Sequence, residues 1–149
     1  ITIEDVKRMR EKVQKELSKE EKGKGQGAKR YDIKLGSGGL EDLEFIIQYL
    51  QLKKCRDNPQ IIVQGTIEAI KRLKAAGILR SGDSDMMSET YMFYRTIEIL
   101  LRLRNESVLK EGTSTLQGIA GFMDMDEGKF LGLLNEKREW VRNFRDRIS

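Results

Sequence analysis

The chain has 149 residues, of which 38% are hydrophobic and 35% charged, with one cysteine, one proline and no histidine. This length suffices for one domain with a real core. The lone Cys55 excludes an internal disulfide, and the absence of histidine excludes imidazole chemistry. No apolar run approaches the roughly 20 residues of a membrane span. We therefore predict a soluble, cytoplasmic domain. A start at Ile1 rather than methionine indicates a piece of a longer protein.

The net charge of +4 is concentrated near the N-terminus. Residues 1–30 hold ten Lys/Arg against six Asp/Glu, whereas the remaining 18 basic and 18 acidic residues cancel. A basic segment attracts nucleic acid when it forms a continuous patch with aromatic residues beside it. Only Tyr31 lies at its border, so a solvated helix face is favoured. A basic helical module that binds nucleic acid stays an alternative.

The first half of the chain predicts helices separated by loops. Apolar residues at helical spacing predict a helix through about residue 21, followed by a flexible basic loop over residues 22–29. A glycine cluster then precedes a helix predicted over about 40–55. One or two helices are predicted over 59–76, with Gly77 as a C-terminal stop.

Three further helices are predicted over about 83–104, 114–122 and 126–147. No stretch alternates apolar and polar residues in a sustained way, which argues against a sheet. The sequence therefore predicts an all-α fold in which residues 1–149 form a single helical domain. We expect a bundle of about six helices with a Gly-rich loop before helix two.

The segment 32–48 carries the most specific pattern, Asp-Ile-Lys-Leu-Gly-Ser-Gly-Gly-Leu-Glu-Asp-Leu-Glu-Phe-Ile-Ile-Gln. Gly38 and Gly39 are predicted to adopt backbone conformations that are costly for other residues. Acidic residues at the start of the following helix suit the positive end of the helix dipole. Asp32 and Lys34 are predicted to share one side of an extended segment.

Two roles of this glycine loop stay open. Backbone N–H groups at a helix start, together with Lys34, are suited to binding phosphate. Alternatively, the loop is a turn through which the bundle docks on another domain, with Asp32 and Asp42 bonding backbone N–H groups. Docking is favoured, because carboxylates at the helix start repel a triphosphate unless magnesium intervenes. A loop that forms one wall of an interdomain nucleotide cleft would combine the two roles.

The pattern Asp-x-Lys-x-Gly-x-Gly-Gly-Leu-x-Asp-x-Glu-Phe resembles the start of the helical domain in bacterial glutamine synthetase adenylyltransferase. That enzyme adds AMP to a tyrosine of glutamine synthetase and removes it. The resemblance continues in order through Gln48-Tyr49-Leu50, Asn58-Pro59, the 70–79 segment, Tyr-x-Phe-x-Arg-x-x-Glu at 91–98, and Val141-Arg142. The family often has histidine where this chain has Ile99.

This resemblance implies a non-catalytic helical domain within a larger nucleotidyltransferase. Such enzymes use Gly-Ser and a later Asp-x-Asp on a strand to hold magnesium against a triphosphate. Here Gly36-Ser37 and Asp42-x-Glu44 lie too close together, and the acidic pair is on a predicted helix. We therefore expect no catalytic or metal-binding residue in this chain, and magnesium and ATP are implied for the parent enzyme.

The implied partners are the nucleotidyltransferase domain of the same chain and, through the parent, glutamine synthetase and the PII protein. The equivalent domain of a PII uridylyltransferase is the alternative. The residues expected at the interdomain face or nucleotide cleft are Asp32, Lys34, Gly36, Gly38, Gly39, Asp42, Glu44 and Gln48. Of these, we expect Asp42 to be the more buried and structural, and Lys34 the more exposed and functional.

Overall fold

The computed structural model describes residues 4, 8–12 and 29–148. The first helix, α1, is described at residues 8–12. It is followed by β1 (Arg30–Tyr31), α2 (Leu40–Lys54), a 3-10 helix (Pro59–Ile61), α3 (Thr66–Ala75), α4 (Ser81–Leu103), β2 (Leu109–Lys110), α5 (Ser114–Phe122) and α6 (Glu127–Ile148). The predicted all-α fold with about six helices is confirmed. Of the predicted flexible loop 22–29, all but Lys29 lies outside the described residues, as does most of the basic segment.

Local signals set the helix ends. Gly65 at φ +89° separates the 3-10 helix from α3, and Gly77 at φ +74° follows the end of α3. The stretch 59–76 is therefore two elements. α4 begins two residues before its predicted start at residue 83, because the carbonyl oxygen of Arg80 already accepts the N–H of Ser84 at 2.9 Å.

The two short strands are the part of the fold that the sequence did not predict. Arg30 pairs with Lys110 and Tyr31 with Leu109 in an antiparallel arrangement. Two residues per strand are too few to produce an alternating pattern. The Tyr31 hydroxyl donates to Glu111 at 2.8 Å, and burial together with this bond raises the pKa of Tyr31 to about 12. This pair leads the chain directly into the glycine loop.

One continuous apolar core joins the helices, and α2 lies at its centre, packed against α3, α4 and α6. Its completely buried members include Leu43, Ile46, Leu73, Tyr94, Ile97, Phe130 and Leu134. Met9 of α1, one of the apolar residues at helical spacing in the first helix, is 66% exposed. No helix among the described residues is long and apolar enough to cross a membrane.

We expect the core position of α2 to dominate stability. Ile46 is 0% exposed, whereas Ile62 is 54% exposed. Ile46→Ala should lower the free energy of unfolding by about 2–5 kcal/mol, because it deletes buried methyl groups and leaves a cavity. Ile62→Ala, the matched control, should change it by less than about 0.5 kcal/mol. Urea unfolding followed by circular dichroism measures both, and equal losses would contradict the placement of α2 at the centre.

Candidate functional site

The glycine loop begins with a turn closed by Asp32. Its carboxylate accepts the N–H of Leu35 at 3.0 Å, and its carbonyl oxygen accepts the N–H of Gly36 at 2.8 Å. Asp32 is only 3% exposed, whereas Lys34 is exposed. The prediction that these two side chains share one side of an extended segment is therefore wrong. An aspartate that bonds the backbone three residues on bends the chain and ends the alternation.

Two adjacent glycines are required for different physical reasons. Gly38 has φ +75°, as predicted, and a Cβ atom there would lie 2.2 Å from the carbonyl oxygen of Arg138. Gly39 has φ −84° and ψ −162°, which is ordinary extended backbone, so the predicted conformational reason is wrong for this residue. Instead, a Cβ atom at Gly39 would lie 2.4 Å from the carbonyl oxygen of Ile33. Close packing, not dihedral strain, excludes other residues at this position.

The loop caps α2 with its own backbone. The carbonyl oxygens of Ile33 and Lys34 accept the N–H groups of Leu40 and Glu41 at 2.8 and 3.0 Å. These donors at a helix N-terminus are the groups that a bound phosphate would need. Because they are already bonded within the chain, the geometry favours the structural turn over the phosphate cradle.

Asp42 joins the loop to α6. Its carboxylate accepts the Gly38 N–H at 2.7 Å and a guanidinium N–H of Arg145 at 2.9 Å. Arg10 of α1 also lies 3.7 Å from this carboxylate and from that of Glu41. Asp42 is 1% exposed, so the expectation that it is buried and bonds a backbone N–H is confirmed.

Helices α4 and α6 hold the middle of the loop through contacts that the sequence analysis missed. The Ser37 carbonyl oxygen accepts N–H groups of Arg138 and Arg142, both at 3.1 Å. The Tyr94 hydroxyl donates to the Gly38 carbonyl oxygen at 2.7 Å. A signal existed: Arg138, Arg142 and Arg145 are spaced i, i+4 and i+7, which places them on one face of α6.

A group of surface residues, which we call the polar face, comprises the exposed Lys34 and Gln48 and the half-buried Glu41 and Glu44, with the half-buried Arg95 and Glu98 of α4. Burial first, and then the charge of Glu41, raise the pKa of Glu44; Glu98 raises it further, while Arg95 and Lys34 oppose the rise. Glu98 forms ion pairs with Arg95 and, at 3.5 Å, with Arg102. Within the described part of the chain, neither Lys34 nor Glu44 forms an ion pair.

A cavity of about 300 Å³ adjoins the polar face between α2 and the start of α3. Glu44 and Gln48 line one side of it, and Gly65 and Thr66 line the other. Gln51 fixes its wall, because its amide nitrogen donates to the carbonyl oxygens of Ile61 and Val63 at 2.8 and 3.2 Å.

The eight predicted site residues thus separate into two groups. Asp32, Gly36, Gly38, Gly39 and Asp42 form the buried turn, whereas Lys34, Glu44 and Gln48 lie outside it. The carboxylates that imitate a metal-binding pair do not converge, since Asp42 is bonded to Arg145 inside the fold and Glu44 lies on the polar face. Nowhere in residues 4, 8–12 and 29–148 are three His, Cys, Asp or Glu side chains grouped to hold a metal ion.

Comparison with known proteins gives consistent matches. The model of a family described as GlnD PII-uridylyltransferase matches residues 7–148. Three curated relatives share the name bifunctional glutamine synthetase adenylyltransferase/adenylyl-removing enzyme. They come from Streptomyces avermitilis (35% identity over 75% of this chain), Streptomyces coelicolor (30% over 95%) and Rhodopseudomonas palustris (36% over 56%). The chain spans 11%, 13% and 8% of their lengths, respectively.

The close packing of Gly39 yields a direct test. Gly39→Ala should lower the free energy of unfolding by about 1–3 kcal/mol, because the new methyl group would overlap the Ile33 carbonyl oxygen. Gly132→Ala in α6 is the control, because a Cβ atom there meets nothing within 4 Å. That change should stabilise the chain by up to about 1 kcal/mol through helix propensity. If both variants unfold at the same urea concentration, the packing argument fails.

The raised pKa of Glu44 predicts a pH dependence. Between its ordinary value of 4.5 and its folded value, the folded chain holds a proton that the unfolded chain has released. The free energy of unfolding should therefore fall as pH rises through this interval, and Glu44→Gln should remove that fall. Glu139→Gln, an exposed change on α6, should leave the fall in place. Urea unfolding at a series of pH values measures this, and an unchanged profile in Glu44→Gln would contradict it.

Proposed function

Because the chain belongs to the GlnD PII-uridylyltransferase family, we propose that it is the non-catalytic helical domain of an enzyme that adenylylates and de-adenylylates glutamine synthetase. One observation carries this proposal: curated relatives that match at 30–36% identity all bear the name of that bifunctional enzyme. On this proposal, ATP and magnesium act in the nucleotidyltransferase domain of the parent protein. Glutamine synthetase and PII bind to the parent protein. The uridylyltransferase alternative is supported by the description of the family itself.

We propose that the polar face docks on that nucleotidyltransferase domain. Lys34 and Glu44 carry opposite charges and form no ion pair within the ranges that the structure describes. A surface that presents charges of both signs, two of them outside any ion pair in these ranges, is suited to a partner with the complementary pattern, which fixes the register of docking.

The buried turn supports this role by positioning Lys34. Its carbonyl oxygen accepts the N–H of Glu41, and the neighbouring Asp32 closes the turn on Leu35. The backbone that carries the exposed ammonium group is therefore held on both sides. Rigid support of this kind is what a group that must meet a partner at a defined point requires.

We also propose that the loop walls the nucleotide cleft through a side chain and not through its backbone. The N–H groups of Leu40 and Glu41 are occupied by loop carbonyl oxygens, which leaves Lys34 as the exposed cation of the loop. An ammonium group at the edge of a cleft attracts a phosphate as a point charge. Lys34 would then contribute to transfer without belonging to the metal-binding machinery.

The test is Lys34→Ala in the full-length product of the gene. Transfer of labelled AMP from ATP to glutamine synthetase should fall by about tenfold or more, equivalent to at least about 1.4 kcal/mol of transition-state stabilisation. The Tm should change little, because Lys34 is exposed. Lys71→Ala, an exposed lysine of α3, is the control and should alter neither. Equal losses of activity and Tm in Lys34→Ala, or no loss of either, would mean that the loop is only a turn.

The same assay separates the two members of the family. The 149-residue chain alone should transfer no AMP, because the catalytic carboxylates belong to another domain on this proposal. In the parallel reaction, the full-length protein receives labelled UTP and PII in place of labelled ATP and glutamine synthetase. Transfer of UMP to PII, without transfer of AMP, would favour the uridylyltransferase alternative.

A further inference from the structure

A row of apolar side chains runs along the outer face of α4, opposite its buried face. Met92, Ile99 and Leu103 are 55%, 46% and 77% exposed, and they are three of the seven large apolar side chains found exposed among the described residues. With Thr96 they occupy positions i, i+4, i+7 and i+11, which share one side of a helix. We call these four residues the apolar row.

The apolar row is better suited to protein contact than to water. It extends over twelve residues, from Met92 to Leu103, or about 16 Å along the helix. The Thr96 hydroxyl donates to the Met92 carbonyl oxygen at 2.8 Å, so the polar group in the row already has a partner. Single exposed apolar residues are normal, but an aligned set at this spacing is the pattern by which helices present anchors to a partner.

The apolar row is continuous with the polar face. Arg95, Glu98 and Arg102 lie along one side of the row on the same helix, and the first two lie close enough to Glu44 of α2 to influence its pKa. Together, the row and the polar face make one surface, an apolar strip with charges of both signs along one edge. Stable protein interfaces likewise place polar residues at the edge of an apolar centre.

We propose that the apolar row is the hydrophobic part of the surface by which this chain docks on the nucleotidyltransferase domain of the same polypeptide. This inference rests on the proposed function and adds to it a second contact region on α4. Relatives of the chain are much longer, since it spans only 8–13% of their lengths, so most of their polypeptide is available as the occupant. The charged border favours an occupant that also complements the polar face over one that is purely apolar.

Methionine oxidation tests the inference, because the chain supplies its own probe. Met92 is exposed, while Met87 on the same helix is 0% exposed and serves as the internal control. In the 149-residue chain, dilute hydrogen peroxide should oxidise Met92 and spare Met87. In the full-length gene product, Met92 should react about tenfold more slowly, as expected if the docked state is populated at about 90%. Lys34 acetylation, followed by mass spectrometry in the same samples, reports on the polar face independently.

Each outcome decides a separate point. Protection of both Met92 and Lys34 in the full-length protein supports the inference together with the docking proposal. Protection of Lys34 alone overturns the inference and leaves the docking proposal standing. Protection of Met92 alone supports the row as a contact and removes the polar face from it. Concentration-dependent protection of Met92 in the short chain would identify a second copy as the occupant and overturn the inference, as would protection of neither group.

Surface variants give a second readout. Ile99→Ser combined with Leu103→Ser in the full-length protein should restore fast oxidation of Met92 by weakening the docked state. Phe122→Ser is the matched control, because Phe122 is 67% exposed on α5 and lies outside the row. It should leave Met92 protected. The same double variant in the 149-residue chain should keep its Tm, since both side chains are exposed there. Continued protection of Met92 in the full-length double variant would overturn the inference.

Discussion

Three helices meet on the backbone of Ser37 and Gly38, and the arrangement of the bundle depends on this meeting. Two arginines of α6 donate hydrogen bonds to the Ser37 carbonyl oxygen, and a tyrosine hydroxyl of α4 donates to the Gly38 carbonyl oxygen. A carboxylate of α2 accepts the Gly38 N–H that lies between them. Each partner is a polar group that would be costly to bury alone. Glycine at position 38 allows this close approach of the helices, because any side chain there would collide with the backbone of α6. The loop therefore connects three helices inside the fold.

The residues of this motif have two roles: some hold the turn together, and others carry charge on the polar face. Asp32 and Asp42 face inward and bond backbone N–H groups, whereas Lys34 is exposed and Glu44 is half-buried on the polar face. Breaking a buried carboxylate–arginine pair by removing one partner destabilises the fold by about 3–5 kcal/mol. Asp42 can thus be essential to the turn without touching any substrate. Loss of activity on changing it would not identify it as catalytic.

Local patterns predicted most of the fold, and long-range contacts account for what they missed. The range of α5 was predicted to the residue and that of α2 to within one, because apolar spacing is a local signal. The burial of Asp42 was also predicted, because Asp42 and Glu44 are two positions apart and cannot point the same way on a helix. The Arg138–Ser37 bond spans 101 residues, and no local pattern encodes it. The reason for Gly39 is likewise a contact made in the folded chain.

The sequence separation of these contacts has a consequence for how the protein is made. The arginines that hold the loop lie 101, 105 and 103 residues after their partners in the chain. During synthesis, the loop and α2 emerge well before α6. The loop therefore lacks its clamp until nearly the whole bundle has left the ribosome. Since contacts of large sequence separation form slowly, the glycine loop should be among the last parts to become ordered.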